Sequence, residues 1–473
     1  MKIIAVTIRI ILFFCLLLPV ACTVGPDYVK PTAVETMPTA YKELEGWKVA
    51  QPRDGTMSER WWELYNDPEL NTLEGRVAIS NLNIASSEAQ YRQARAVVHA
   101  AKAGYYPSLS IGASATRSKS SGNLGVVSGA GRTVSNFQLP LDAAWELDIW
   151  GRIRRGVEAS EAGAQASAAD LAAATLSAQA ELASDYFQMR ILDSQRQLLG
   201  DTTDVYRKSL EVVKYRYAAG VAAKSDVLQA ETQLKSTEAQ MIDLGVQRAQ
   251  LEHAIALLLG KAPAVFSLPQ VSRTFVIPFI PTGLPSELLE RRPDIASSER
   301  RMAAANAQIG IATSAYFPTI KLSAAAGFEA SSLASWFSWP SRFWSVGPAV
   351  SAALFDGGLR AAQTDQAKAA YDAAVASYRE TVLTGFQEVE DNLAALRVLE
   401  EESLIQKQAV QAAQQVVHIT ANQYQAGTVA YLNVLVAQSV ALENERTALG
   451  LVGRRLAASV LLVKALGGGW FAK

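Results

Sequence analysis

The chain is poor in the residues that build covalent and metal-based sites. Its 473 residues include only 2 Cys and 3 His, and both cysteines, Cys15 and Cys22, lie near the N-terminus. This shortage argues against a structural zinc site, a disulfide framework and a Cys–His catalytic pair. Neither charge is in excess, because 44 Lys and Arg face 45 Asp and Glu. A net charge of -1 therefore gives no reason to expect a nucleic acid partner.

Proline is absent from two long tracts, 141–262 and 349–473. Because proline inside a helix costs about 3 kcal/mol, these tracts are where long helices can run. A helix from about Arg152 to Tyr217 would be roughly 100 Å long. Only 19% of the residues are charged and much of the apolar content is alanine, which favours long, closely packed helices over a large globular core.

Apolar residues in both tracts follow the heptad spacing of a coiled coil. Val227, Ala230 and Leu234 occupy a and d positions, and Val434 and Ala437 occupy the equivalent positions of the second tract. Ala441 and Ala448 of the second tract stand at the positions of Leu234 and Met241 in the first, and these smaller side chains imply closer helix approach. The heptads alone leave open a plain two-stranded coiled coil.

The two halves of the chain are similar to each other. Ile-Ala-Ser-Ser-Glu at 84–88 recurs at 295–299, and Tyr-Ala-Ala-Gly at 217–220 corresponds to Tyr-Gln-Ala-Gly at 424–427. The order of matching segments is the same in both halves, so the sequence predicts a tandem structural repeat. The glycine of each second segment predicts a turn between two helices, since glycine adopts positive φ without a Cβ clash.

Four further segments alternate between apolar and polar residues, as β-strands do. They cover residues at about 105–119, 135–148, 316–330 and 344–356. Each has a length that crosses a bilayer at a tilt. Glu146, Lys321 and Glu329 lie on the second face, which suits a water-filled lumen. A half-buried sheet of a soluble protein would alternate in the same way.

The strand pattern also predicts assembly. Aromatic residues cluster at one strand boundary, as in an interfacial girdle; they are Trp336, Phe337, Trp339, Phe343 and Trp344. Four strands are too few to close a barrel, and lipid does not tolerate open sheet edges. Several copies must therefore share one barrel, although this argument does not give their number.

The N-terminus predicts export. Lys2 and Arg9 flank an apolar run that is too short to span a bilayer, which indicates a signal peptide over 1–21. The run ends at Ala21-Cys22, which resembles the lipobox of bacterial lipoproteins. In that reading Cys22 carries a diacylglyceryl group on its thiol and an acyl chain on the new N-terminus. An ordinary signal peptide with an incidental cysteine is the alternative.

Three motifs carry a resemblance to a known family. They are Gly-Pro-Asp-Tyr-Val-Lys-Pro at 25–31, Trp-Trp-Glu-Leu-Tyr-Asn-Asp-Pro at 61–68 and Leu-Pro-Ser-Glu-Leu-Leu-Glu-Arg-Arg-Pro-Asp-Ile at 284–295. In order and spacing they resemble TolC-like outer membrane factors, specifically the NodT-type lipoproteins of RND efflux systems. The resemblance covers essentially the whole chain. It implies a mainly α protein with a transmembrane β-barrel part: a trimer shares one twelve-strand barrel, continued by a long periplasmic α-helical barrel.

The resemblance also divides the chain. The expected parts are a signal peptide at 1–21, an acylated segment at 22–60, a first repeat at 61–262, an equatorial linker at 263–283 and a second repeat at 284–473. Each repeat would contribute helices and two of the four predicted strands.

By this resemblance the protein is a passive exit duct of a tripartite efflux pump. It would conduct drugs or other small molecules from periplasm to exterior, with no enzymatic activity and no cofactor besides the lipid on Cys22. The implied partners are two further copies, a periplasmic adaptor, an inner-membrane RND transporter and outer membrane lipid. Two alternatives remain: the duct of a type I protein secretion system, and a lipid-anchored periplasmic coiled-coil scaffold without a pore.

The family places functional residues at the ends of the helical hairpins. Adaptor contact is expected at Tyr217, Gly220, Tyr424 and Gly427, and the periplasmic aperture at Asp226, Gln229, Asn433 and Val436. Val436 stands where the family often has an acidic residue, which would leave Asp226 as the acidic ring. The alternative for Asp226 is a carboxylate that offsets the dipole of a helix N-terminus.

Overall fold

The computed structural model describes residues 23–34, 37–44, 60–123, 131–280 and 291–469. The predicted signal peptide, Cys22 and the first seven positions of the third motif, 284–290, lie outside the described residues. None of the helices in these ranges is both long enough and apolar enough to cross a membrane.

Seven α-helices and five strands make up most of the described chain. The helices are α1 Pro68–Ser80, α2 Leu82–Ala103, α3 Arg152–Ala218, α4 Lys224–Leu258, α5 Pro293–Ser314, α6 Leu359–Gln425 and α7 Tyr431–Ala465. The strands are β1 Ser108–Ile111, β2 Ser114–Lys119, β3 Thr133–Glu146, β4 Thr319–Ala330 and β5 Arg342–Ser351. Helices α3 and α6 have 67 residues each, and α4 and α7 have 35 each.

The chain forms two compact units. The sheet unit contains the described part of Met1–Pro31 together with Tyr91–Ser167 and Ser298–Tyr378. The helical unit contains the described parts of Thr32–Gln90, Ala168–Ser297 and Arg379–Lys473. Each unit takes segments from both halves of the sequence.

In the sheet unit, all strand pairs are antiparallel and the order is β1-β3-β4-β5, with β2 also paired to β3. Where the sequence predicts one strand over 105–119, the structure has two. Gly112 N–H donates to the Pro140 carbonyl at 3.0 Å, but Pro140 has no N–H to return. The register is unchanged across this gap, so one missing backbone donor divides the strand.

The fourth predicted strand is also shorter than expected, because β5 ends at Ser351. The following residues lead into α6, where the Asp356 carboxylate accepts from the N–H groups of Gly358 and Arg360 at 3.0 and 3.3 Å. Pro348 lies within β5. Proline supplies no backbone N–H, so this position of β5 donates no hydrogen bond to a neighbouring strand.

In the helical unit, each long helix ends at a glycine turn. Gly220 has φ +76° and Gly427 has φ +77°. Past the first glycine, Val221 N–H donates to the Arg216 carbonyl at 2.9 Å, and past the second, Thr428 N–H donates to the Gln423 carbonyl at 3.0 Å. Positive φ lets the chain reverse while these bonds satisfy the last carbonyls of α3 and α6.

The second sequence motif lies in the core of the helical unit. Trp61 is 1% exposed, and the Tyr65 ring packs on Phe187 of α3 with a centroid distance of 4.7 Å. The carboxylate of Asp67 accepts from the N–H groups of Glu69 and Leu70 at the start of α1. The motif is therefore both a core segment and a helix cap.

A buried charged cluster holds the inter-repeat linker against the helices of this unit. Arg190 of α3 is fully buried and contacts Glu69 and Asp193, each at 2.8 Å. Its guanidinium also donates to the Pro269 carbonyl at 2.7 Å. Arg273 of the linker contacts Glu69 at 3.1 Å. Each charge removed from water is thus matched by an opposite charge or a carbonyl.

Glu74 of α1 lacks such partners. It is 0% exposed, and neither carboxyl oxygen has a hydrogen-bond partner in the described part of the chain. Burial raises the pKa of Glu74 well above its ordinary value, because an apolar surrounding disfavours the charged form.

Two isosteric substitutions on α1 should therefore act in opposite directions. Glu74→Gln should raise the free energy of unfolding at pH 7, since burial makes the charged form of Glu74 costly and Gln carries no charge. The gain should fade as the pH drops to about 4.3, where the unfolded glutamate is itself protonated. Glu69→Gln should instead destabilise by about 1.5–3 kcal/mol at pH 7, because Arg190 and Arg273 lose a charged partner. Urea unfolding of the purified protein measures both. A loss of stability in Glu74→Gln at pH 7 would contradict this account.

Candidate channel site

The sheet has one apolar face, and that face is exposed. Directly opposed residues of an antiparallel pair lie on the same face; thus Ile111 opposite Leu141 and Ala324 opposite Val346 belong to one surface. Ile111 is 73% exposed and Val346 is 64% exposed. Single exposed apolar residues are common on proteins, but a sheet face whose apolar residues are all exposed or half-buried marks contact with lipid or another protein.

The other face is polar. Glu329 accepts hydrogen bonds from Asn136 at 3.0 Å and Gln138 at 2.9 Å. Further polar residues of this face are Ser110, Asp142, Glu146, Lys321 and Ser323. Alternation of apolar and polar side chains from one face to the other is the pattern of a wall with lipid on one side and water on the other.

Aromatic side chains flank the sheet at both ends. At the end where loops join the strands, Trp336 stacks on Phe337 at 5.0 Å and packs on Phe137 at 5.7 Å. At the end where helices join the strands, Trp150 stacks on Phe317 at 4.8 Å and donates to the Pro318 carbonyl at 2.7 Å. Only the first cluster is predicted from the sequence. The Tyr-Phe-Pro segment at 316–318 was the available signal for the second.

The outer strands of the sheet have no second neighbour. Within the described residues, β1 and β2 pair only with β3, and β5 pairs only with β4. Each edge therefore presents unpaired backbone N–H and C=O groups.

The segment that follows Cys22 docks on the sheet unit. Val24 N–H donates to the Trp150 carbonyl at 3.2 Å. Arg155 of α3 contacts Asp27 at 2.7 Å, and Lys30 contacts Glu299 of α5 at 3.0 Å. Val24, two positions after the predicted lipid site at Cys22, therefore lies beside the aromatic cluster at the helix end of the sheet.

The hairpin ends lie in the helical unit, and an arginine joins them. Arg216 of α3 donates to the carbonyls of Tyr424 and Gln425 at 3.2 and 3.3 Å, and its guanidinium lies 4.8 Å from the centroid of the Tyr424 ring. No local sequence pattern predicts this contact, because it depends on the neighbouring hairpin. A cation that contacts the last carbonyls of a helix also offsets its dipole.

The residues expected to contact an adaptor differ in exposure. Tyr217 is 45% exposed, and Gly220 and Gly427 are exposed. Tyr424 is only 8% exposed and packs on Tyr431 at 5.3 Å. The Tyr424 ring therefore packs inside the hairpin end and is buried within this chain.

The expected aperture residues occur in two places. Asn433 and Val436 line an exposed groove of about 330 Å³ between α6 and α7. Asp226 and Gln229 lie on the first turns of α4 and are half-buried. The Asp226 carboxylate accepts from Ala223 N–H at 3.4 Å, which is the helix-end role that the sequence left open. In the described ranges, no group of His, Cys, Asp and Glu side chains is placed to hold a metal ion.

The known proteins that this chain resembles are outer membrane proteins, which agrees with a sheet that has one apolar and one polar face. The chain matches the family described as outer membrane efflux protein twice, over residues 75–261 and 284–468, and it belongs to this family. It is 31% identical to the solvent efflux pump outer membrane protein SrpC of Pseudomonas putida over 97% of both chains. It is 32% identical to the pyoverdine export outer membrane protein OpmQ of Pseudomonas aeruginosa, over 88% of this chain and 89% of that one.

A solved structure of the outer-membrane channel OprN superposes with a TM-score of 0.89 at 32% identity, covering 95% of this chain and 100% of that one. The family resemblance is therefore confirmed, as are the predicted function and location. The protein is an efflux duct of the outer membrane that extends into the periplasm. Its family is one of channels and is not an enzyme family.

Ion selectivity tests whether the expected aperture residues line the pore. Asp226→Ala should reduce the cation preference of the pore in planar bilayers, because a carboxylate near a narrow opening attracts cations. Val436→Ala, which removes no charge, should change the preference far less. Asn433→Ala should chiefly raise conductance. If Asp226→Ala leaves the ion preference unchanged, Asp226 acts only as a helix-end residue.

Proposed function

We propose that three copies of this chain form one passive duct, with a shared twelve-strand barrel in the outer membrane and a long α-helical barrel in the periplasm. The observation that carries the proposal is a small sheet with an exposed apolar face and two unpaired edges. Hydrocarbon offers no water to satisfy the edge N–H and C=O groups. Sheets from other copies satisfy them by continuing the ladder.

The resemblance to TolC-like outer membrane factors supports three copies. Because β1 and β2 share one register on β3, each chain contributes the equivalent of four spanning strands, and three chains contribute twelve. The polar face with Glu329 then lines the lumen, and the apolar face meets lipid. The two matched regions of the family and the equal lengths of α3 and α6 support a tandem repeat as the origin of this architecture.

The duct works as one part of a tripartite pump. The periplasmic adaptor docks at the exposed hairpin ends, and an inner-membrane RND transporter supplies the energy. Small molecules pass through the lumen without chemical change, which is why no enzymatic activity or cofactor is needed. The names of the relatives, which include solvent efflux and pyoverdine export, favour small-molecule cargo over a protein secretion duct.

A lipid on Cys22 anchors the N-terminus. The docked segment after it, held by Asp27 and Lys30, supports this proposal because it starts beside an aromatic cluster of the kind found at membrane interfaces. Mass spectrometry of the mature protein tests the anchor. We expect a diacylglyceryl group and an N-acyl chain on Cys22, and an unmodified terminus would refute it.

Light scattering in detergent, with the detergent mass subtracted, tests the shared barrel. The purified protein should be a stable trimer that conducts ions in planar bilayers. Gly327→Ala should impair assembly, because a Cβ at this position would overlap the Leu139 carbonyl of the neighbouring strand. Gly347→Ala is the matched control, since a Cβ there meets nothing within 4 Å. A monodisperse, non-conducting wild-type monomer would reject the duct.

A further inference from the structure

Charged residues lie on both faces of the sheet, and within the described strands those of the apolar face are all cations. The strand carboxylates, Asp142, Glu146 and Glu329, all lie on the polar face. Three cations lie on the apolar face, as the register of the strands requires; they are Arg117, Lys119 and Arg342. Cations on a lipid-facing surface need an explanation, because they are costly at the bilayer midplane and nearly neutral in energy only at its interfaces.

All three cations stand at the loop end of the sheet. Arg117 and Lys119 are close to the end of β2, and Arg342 begins β5. On this face Arg117 is the next residue of β2 after Ala115, and Ala115 pairs with Phe137. At the helix end, the same face carries Trp145, Ile320 and Val350 and no charge. The cations are therefore just past the apolar band, at the height of lipid headgroups.

These side chains are available for an external ligand. All three are exposed, and in the part of the chain that the structure describes none forms an ion pair with a carboxylate. Arg342 instead lies over the ring of Trp339, which is 74% exposed. Trp344, two residues along the same face, is 77% exposed. Cations beside exposed indole rings match an interface that combines anionic headgroups with acyl chains.

The membrane leaflet is determined by the topology of the sheet. The loop end is opposite the end where α2, α3, α5 and α6 join the strands. Since the protein extends from the outer membrane into the periplasm, the loop end faces the exterior. The outer leaflet of such a membrane is built from phosphorylated glycolipid, which is strongly anionic. Arg binds phosphate through paired N–H donors, and Lys binds it as a point charge.

We propose that Arg117, Lys119 and Arg342, together with Trp339 and Trp344, form an outward-facing collar that binds the phosphate groups of outer-leaflet glycolipid. The inference rests on the proposed placement of the sheet in the membrane. The collar holds the protein at a fixed depth from the outside, as the aromatic cluster at Trp150 does from the periplasmic side.

Native mass spectrometry of the full-length oligomer tests the collar. The probes are bisphosphorylated lipid A and the same lipid after enzymatic dephosphorylation. Each lost cation should weaken binding of the phosphorylated lipid about 5-fold, so the triple variant with Arg117→Gln, Lys119→Gln and Arg342→Gln should lose it almost entirely. Lys119→Gln has a matched control in Lys321→Gln, which removes the same charge from the polar face. The control should bind the lipid as the wild type does.

Two results would overturn the collar while leaving the duct intact. One is a wild-type oligomer that binds the dephosphorylated lipid as tightly as the phosphorylated one. The other is a triple variant that retains wild-type affinity, which would mean that this surface takes another occupant such as a protein. Failure of the wild type to form a membrane-embedded oligomer at all would instead count against the proposed function.

Discussion

Unpaired backbone groups at the edges of a small sheet are the constraint on which the architecture depends. In water, an exposed edge is a tolerable liability, because solvent satisfies its N–H and C=O groups. In hydrocarbon it is not tolerable, and the exposed apolar face of this sheet indicates that hydrocarbon is its environment. The edges formed by β1 with β2 and by β5 must therefore find partners. The proposed shared barrel would supply these partners, since so few strands cannot close a barrel alone.

The helical unit obeys a different constraint, because it works in water. Its stability comes from a core around Trp61 and Phe187 and from a buried charged cluster in which Arg190 is fully enclosed. The cluster links α1, α3 and the inter-repeat linker, which are far apart in sequence. Burial of such charges is tolerable only when each has its partner. Glu74, whose carboxyl oxygens have no hydrogen-bond partner in the described residues, shows the opposite case, because burial raises its pKa well above the ordinary value.

Much of this fold can be predicted from local sequence because its rules are local. Proline-free tracts predict the long helices, positive-φ glycines end them at Gly220 and Gly427, and two-residue alternation predicts the strands. The failures have a common cause, which is dependence on a residue across a strand or helix. The gap between β1 and β2 depends on Pro140, and the burial of Tyr424 depends on Arg216 and Tyr431. Neither is visible in the segment that it affects.

The candidate site divides in the same way. The polar and apolar faces can be predicted because alternate residues of a strand lie on opposite faces. The same rule is enough to place Arg117 and Arg342 on the apolar face. The roles of Asp226 and Asn433 depend on how neighbouring copies surround the hairpin ends, which no pattern within one chain specifies. The local sequence is enough to predict that Asp226 caps a helix. Only an oligomer could place several copies of this carboxylate around one pore.

Hydrogen–deuterium exchange on the protein in lipid nanodiscs tests the central claim most directly. It reports, amide by amide, whether the edges of the sheet are paired. The account predicts that amides of β1 and β5 are protected as strongly as those of the central strands β3 and β4, because neighbouring copies complete their hydrogen bonds. Rapid exchange along β1 and β5, with protection confined to β3 and β4, would contradict a barrel shared between chains.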